Sequence, residues 1–143
     1  MQMKVVALTA ILSVMAISGI AGPERSAKAA VADGSANLIC AVIDAIECQA
    51  DGSCFQGRAS DINLPQFFYL QFDEMVVKRK TPDGEERNSK IDSLRHDAGE
   101  LIIQGVEEGL AWSLLLDEEV GRMTLTASKD DLGYVIFGAC TLD

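Results

Sequence analysis

The sequence predicts an all-β protein: an antiparallel meander of about eight strands that forms a closed or nearly closed barrel. Two observations predict it. Turn signals recur regularly through the second half of the chain, and most of the runs between them are of seven to nine residues, which suits strands rather than helices. Within those runs, apolar and polar residues alternate with the period of two of a half-buried strand.

The clearest turn signal is "TPDG", residues 81–84, because Pro in the second place and Gly in the fourth are typical of a type I turn. The alternation is plainest in "RMTLTASK" (122–129), where Met123, Leu125 and Ala127 share one face, and in "LAWSLLLD" (110–117). The predicted strands are 38–49, 66–72, 75–80, 89–96, 100–106, 110–117, 122–129 and 133–141.

Closure into a barrel would remove the two exposed edges of such a meander, and a two-sheet β-sandwich is the alternative. Residues 55–65 have mixed polarity and end in Pro65, so they are predicted to be mostly loop. The first segment, Leu38 to Cys48, also fits a helix, because apolar residues recur in it every four positions. Only its cysteines favour a strand.

The N-terminal segment has the pattern of a secretory signal peptide. Lys4 precedes an apolar run from Val5 to Gly22, and an Ala-Lys-Ala site predicts cleavage after Ala29. A retained membrane anchor is the alternative, because the run is long enough for a marginal span. Cleavage leaves residues 30–143 as one domain, periplasmic or secreted.

The chain is acidic, with a net charge of −10 that cleavage would change to −12, since three basic residues and one acidic residue would be removed. Such a surface repels phosphate backbones and anionic lipid head groups. We therefore expect no nucleic-acid partner and no stable membrane association after cleavage. The acidic surface is most simply a solubility feature.

Four cysteines in an exported domain predict two disulfides. If 38–49 is a strand, Cys40 and Cys48 lie on one face about 26 Å apart, too far for a bond. A three-residue loop, residues 50–52, with Gly52 left-handed, sets Cys48 directly opposite Cys54. Cys40 then pairs with Cys140, which requires the first and last strands to be neighbours.

No catalytic, metal or cofactor site is predicted. Zinc would need more than the one histidine, His96, beside these cysteines, and no Cys-x-x-Cys occurs. His96 is interpreted as a turn residue rather than a base. The acidic pairs, such as Glu107–Glu108, are interpreted as solvated turn residues, and the basic "VKRK" (77–80) as balancing neighbouring carboxylates.

The segments "ECQADGSC", "LIIQGVEEGLAWSLLL" and "GYVIFGACT" resemble short exported proteobacterial proteins of unknown function, a resemblance that implies no activity. In architecture the meander is similar to lipocalin-type and avidin-type barrels and to small periplasmic inhibitors of proteases or lysozyme. It lacks a lipocalin Gly-x-Trp signature near the mature start and any inhibitor motif.

The leading functional hypothesis is an exported binding module whose partner is a small apolar ligand or another exported protein. An eight-stranded barrel can enclose one small ligand, and its predicted lining includes Trp112, Leu114, Met123 and Tyr134. The alternatives are an inhibitor of an exported hydrolase that inserts the Cys48–Cys54 hairpin, and, least favoured, an enzyme.

Overall fold

The structure, a computed structural model, describes residues 32–143. The predicted signal peptide, residues 1–29, lies outside the described residues. Within them, the chain forms ten antiparallel strands and a single 3₁₀ turn at Ala59–Ile62. The strands are β1 (Leu38–Gln49), β2 (Cys54–Gly57), β3 (Phe67–Gln71), β4 (Val76–Lys80), β5 (Glu86–Lys90), β6 (Ser93–Asp97), β7 (Glu100–Glu107), β8 (Leu110–Asp117), β9 (Arg122–Lys129) and β10 (Leu132–Leu142).

The all-β class is confirmed, and seven predicted strands match observed strands to within one residue. The predicted strand 89–96 is wrong, because the chain divides there into β5 and β6. The backbone N–H of Ile91 bonds to the Met75 carbonyl, but that of Asp92 bonds to Gln104. The chain thus changes its partner from the β4 side to β7 between two adjacent residues. The short strand β2 was also missed in the predicted loop.

β1 is a strand rather than a helix, and it pairs with β10 along its whole length. Its other edge is shared: β3 pairs with residues 38–41 and β2 with residues 45–48. A β-bulge at Ile43 separates the two halves and shifts the alternation by one residue. Cys40 therefore faces the core, whereas Cys48 lies on the outer face. The prediction that both share one face was wrong for this reason.

All strands except β2 follow one path in the order β5-β4-β3-β1-β10-β9-β8-β7-β6. The first and last strands are neighbours, as the Cys40–Cys140 pairing requires. A closed or nearly closed barrel was predicted, and the sheet does curl strongly, but into a half-barrel that is open rather than closed. Its two edge strands, β5 and β6, are consecutive in the chain.

The edge strand β5 nevertheless lies close to β7. β6 pairs only with residues 100–104 of β7, and β5 contacts β7 without pairing with it. At Gly105, a Cβ atom would collide with the carbonyl oxygen of Lys90 and the indole of Trp112. β5 can therefore approach β7 only because residue 105 has no side chain.

The core lies on the concave side of the sheet. One end is filled by fully buried side chains, such as Leu38, Leu70 and Leu101, and the segment that precedes β1 packs there. The buried Ala32 donates its N–H to the Glu118 carbonyl oxygen (3.2 Å). The opposite end carries the β1–β2, β7–β8 and β9–β10 turns, and it is less completely filled.

Candidate ligand-binding cavity

A cavity of about 210 Å³ lies on the concave side, near the end with the β7–β8 and β9–β10 turns. Its lining is mostly apolar, and three polar side chains, Arg79, Ser89 and Glu107, form the remainder. The apolar lining residues are Leu64, Pro65, Phe68, Val77, Leu110, Trp112, Leu114, Leu125, Ala127, Tyr134 and Ile136. Most of them face inward because they alternate along β8, β9 and β10.

The open space has a local cause in the sequence. Trp112, Ala127 and Tyr134 are directly paired across β8, β9 and β10, so one small side chain stands between two large aromatic ones. Neighbouring side chains in such a cross-strand row lie about 5 Å apart. The methyl group of Ala127 fills little of the volume between the two rings, and a recess remains there.

The polar part of the cavity is built around an ion pair. Both Nη atoms of Arg79 donate to the two carboxylate oxygens of Glu107, at 2.7 and 2.6 Å. The two side chains are only 16% and 14% exposed. A bidentate pair of this kind fixes both groups in position and leaves the wall of the cavity without net charge at this point.

Glu107 is ionised in this setting. Burial by itself would raise the pKa of Glu107, but the hydrogen bonds and positive charge of Arg79 outweigh it and lower that pKa below its ordinary value. The hydroxyl of Ser89 acts in the same direction. The structure therefore holds a carboxylate and a guanidinium side by side at the edge of an apolar space.

Ser89 links this pair to the aromatic wall. It is the one buried polar residue within residues 32–143, with 4% of its surface exposed. The indole Nε1–H of Trp112 donates to its Oγ at 2.8 Å. A buried indole N–H needs such an acceptor, so the bond also fixes the plane of the Trp112 ring against β5.

Tyr134 forms the opposite wall, and its phenol stays protonated. Burial, together with the negative charge of Glu47, raises the pKa of Tyr134 above its ordinary value. Glu47 is directly opposite Tyr134 on β1. The hydroxyl thus remains a hydrogen-bond donor throughout the physiological pH range.

Three of the four residues predicted to line a cavity do line this one: Trp112, Leu114 and Tyr134. Met123 does not. It is buried nearer the filled end, paired with Leu116 and Gly138, and a Cβ at Gly138 would collide with the Met123 Cε. The alternation of apolar and polar residues correctly predicted that Met123 faces inward. It does not predict whether an inward residue lies near the filled end of the half-barrel or near the cavity.

The sequence analysis missed the polar lining residues, Arg79, Ser89 and Glu107. The alternation of inward-facing and outward-facing residues along the strands could have identified two of them as inward-facing. Arg79 shares a strand face with the buried Val77, and Glu107 shares one with the buried Ile103 and Gly105. Glu107 was interpreted as a turn residue, but the turn itself is formed by Glu108 and Gly109, both with positive φ. That two-residue turn leaves Glu107 as the last residue of β7.

Both predicted disulfides are present in the structure. Cys40 is bonded to Cys140 and Cys48 to Cys54, each across directly paired positions. The hairpin has the predicted three-residue loop: the Gln49 N–H bonds to the Ser53 carbonyl (2.9 Å), and Gly52 has a φ of 88°. The loop is exposed, as is Phe55 beside it (50%).

His96 lies at the other end of the molecule. Its Nδ1 is 2.6 Å from a carboxylate oxygen of Glu118, on the surface. In the basic cluster, Lys78 pairs with Glu74 (2.8 Å) as Arg79 pairs with Glu107, so these bases do balance neighbouring carboxylates. The structure does not bring His96 and the cavity together.

No family model, curated protein or solved structure matches the chain. In the range 32–143, no group of three or more His, Cys, Asp or Glu side chains is arranged to hold a metal ion. The same residues contain no helix of the length and apolarity that a transmembrane segment requires. The cavity and the hairpin are therefore interpreted from their own chemistry.

Proposed function

We propose that this protein binds a small, mainly apolar molecule in the cavity beside Ala127. The observation that carries the proposal is the cavity of about 210 Å³ with a largely apolar lining that includes Trp112, Ala127 and Tyr134. Engineered apolar cavities of about 150 Å³ bind benzene, so this one suits a single ring or a short alkyl chain. Drug-sized ligands need about 300–1,000 Å³.

The two disulfides support a role outside the cytoplasm. Disulfides persist in oxidising compartments and are rare in reducing ones, and all four cysteines of the chain are bonded. Together with the predicted signal peptide, they support binding in the periplasm or in the secreted protein. The ligand would then be a molecule encountered outside the cytoplasm.

The proposal can be tested with octan-1-ol as the probe, followed through the fluorescence of Trp112, the sole tryptophan of the chain. We expect saturable binding by the wild type. Ala127→Leu should abolish it, because the larger side chain occupies the recess between the two rings. The matched control is Ala111→Leu, the same substitution on the exposed face of β8, and it should bind as the wild type does.

Saturable binding that Ala127→Leu leaves unchanged would contradict this location. Circular dichroism and urea unfolding of both variants would separate loss of binding from loss of the fold. The inhibitor hypothesis stays a prediction. The exposed hairpin of Cys48 and Cys54 is consistent with it, whereas the cavity has the largely apolar lining that suits a small molecule.

A further inference from the structure

The polar wall of the cavity narrows the class of ligand, an inference that rests on the function proposed above. We propose that Glu107 determines specificity: by neutralising Arg79, it makes the cavity select an uncharged amphiphile over an anionic one of the same size. The ligand would have a short apolar body and a hydroxyl, amide or other uncharged polar head.

The geometry makes Arg79 unavailable to an anion. The fork of its two Nη atoms, the part of the guanidinium that grips a carboxylate, is already taken by both oxygens of Glu107. A ligand carboxylate would have to displace a carboxylate that is fixed to the same protein. It would also lie beside the negative charge of Glu107 in a poorly solvated space.

Two other basic groups at this end of the half-barrel, Arg87 and Lys129, also have partners. Arg87 pairs with Glu85 (3.2 Å) and lies 3.7 Å from a Glu108 oxygen. Lys129 donates to the Glu108 carbonyl at 2.8 Å. With the acidic charge of the whole chain, −10, this arrangement disfavours an anionic head group near Arg79.

Uncharged heads, by contrast, find hydrogen-bonding partners without breaking the pair. A guanidinium carries five N–H donors, and two of those of Arg79 are used by Glu107. The Glu107 carboxylate, which accepts from Arg79 and Ser89, retains further lone-pair capacity. A hydroxyl or amide can therefore bond at the edge of the ion pair while its apolar part lies against Trp112 and Tyr134.

The test compares octan-1-ol with octanoate, which share one alkyl chain and differ in head-group charge. Wild type should bind the alcohol more tightly by about tenfold or more. Glu107→Gln leaves the Arg79 charge unneutralised, so octanoate affinity should rise by about tenfold or more while octan-1-ol affinity changes little. Glu108→Gln, the same charge change on a 79% exposed side chain outside the cavity, should alter neither.

A wild type that binds both probes equally, or a Glu107→Gln variant with no gain for octanoate, would overturn this inference and leave the cavity proposal standing. If neither probe binds the wild type or any of the variants, the result would instead count against the proposed function. If Glu107→Gln does not fold, Arg79→Gln gives the mirror test with octylammonium. A gain in its affinity would support the inference and no gain would overturn it.

Discussion

At the scale of single residues, three positions determine the shape of the cavity on the side of β7, β8 and β9. Ala127 provides the space, and Trp112 forms a wall whose orientation is fixed by the hydrogen bond to Ser89. Gly105, directly opposite Trp112 on β7, allows the indole and the backbone of β5 to pack there. The contact is as close as a residue without a side chain permits, so a single methyl group added at residue 105 should measurably lower the free energy of unfolding.

Gly105→Ala should lower the free energy of unfolding by about 1–3 kcal/mol, because the new Cβ would overlap the Lys90 carbonyl and the Trp112 ring. The measurement is urea unfolding followed by circular dichroism. Gly133→Ala is the control, since nothing lies within 4 Å of the added atom in β10. Equal stability of the two variants would show that β5 does not pack against Gly105.

The ion pair should make stability depend on pH. The pKa of Glu107 is lower in the folded protein than its ordinary value of 4.5, because Arg79 outweighs the effect of burial. The ionised Glu107 therefore makes its full contribution to stability when the pH is above the ordinary pKa of the group. That contribution is lost as the pH falls through the lower pKa that Glu107 has in the folded protein.

The stability difference between the wild type and Glu107→Gln should accordingly shrink as the pH is lowered from about 6 to about 3. Urea unfolding at a series of pH values measures it. Glu108→Gln, whose carboxylate is exposed, should differ little from the wild type at any of them. A difference for Glu107→Gln that stays constant with pH would show that Arg79 does not hold the Glu107 charge in the folded state.

At the scale of elements, β1 organises the sheet, and the two disulfides are attached to it. One bond joins the first and last described strands, 100 positions apart, and the other closes a hairpin with a separation of six. A cross-link restrains the unfolded chain more strongly when it closes a longer loop. The two bonds should therefore differ in their effect on stability.

Cys40→Ala/Cys140→Ala should reduce the free energy of unfolding by about 4–5 kcal/mol, and Cys48→Ala/Cys54→Ala by about 2 kcal/mol. Each double variant serves as the control for the other, because both remove the same atoms. Urea unfolding under oxidising conditions gives both values. If the hairpin variant is destabilised as much as the long-bridge variant, β2 must stabilise the fold by more than covering the edge of β1.

Most elements could be predicted from the sequence, because alternation and turn residues are local signals. The turns at Thr81–Gly84 and Glu108–Gly109, and the three-residue loop before Cys54, depend on a few adjacent residues. The division of residues 89–96 into β5 and β6 does not depend on adjacent residues. It is set by two carbonyl groups that are distant in sequence: Ile91 bonds to Met75, in the turn before β4, and Asp92 bonds to Gln104, in β7.

At the scale of the whole molecule, the half-barrel is filled at one end and has a recess at the other. The filled end is covered by the segment that precedes β1, and the recess lies between side chains of seven strands. Its position and its polar wall could not be predicted, because Arg79 and Glu107 are 28 positions apart and meet only when β4 and β7 curl towards each other. The prediction of a closed or nearly closed barrel was correct about the curl but not about closure, because the number of strands does not determine how far a sheet curls.

Native mass spectrometry of the oxidised protein, recovered from cells that export it, tests the central claim most directly. We predict that the wild type carries a small bound molecule that is released on denaturation, and that Ala127→Leu, isolated in the same way, carries none. The account would be contradicted if the wild type had only the mass of the polypeptide and octan-1-ol added to it failed to bind.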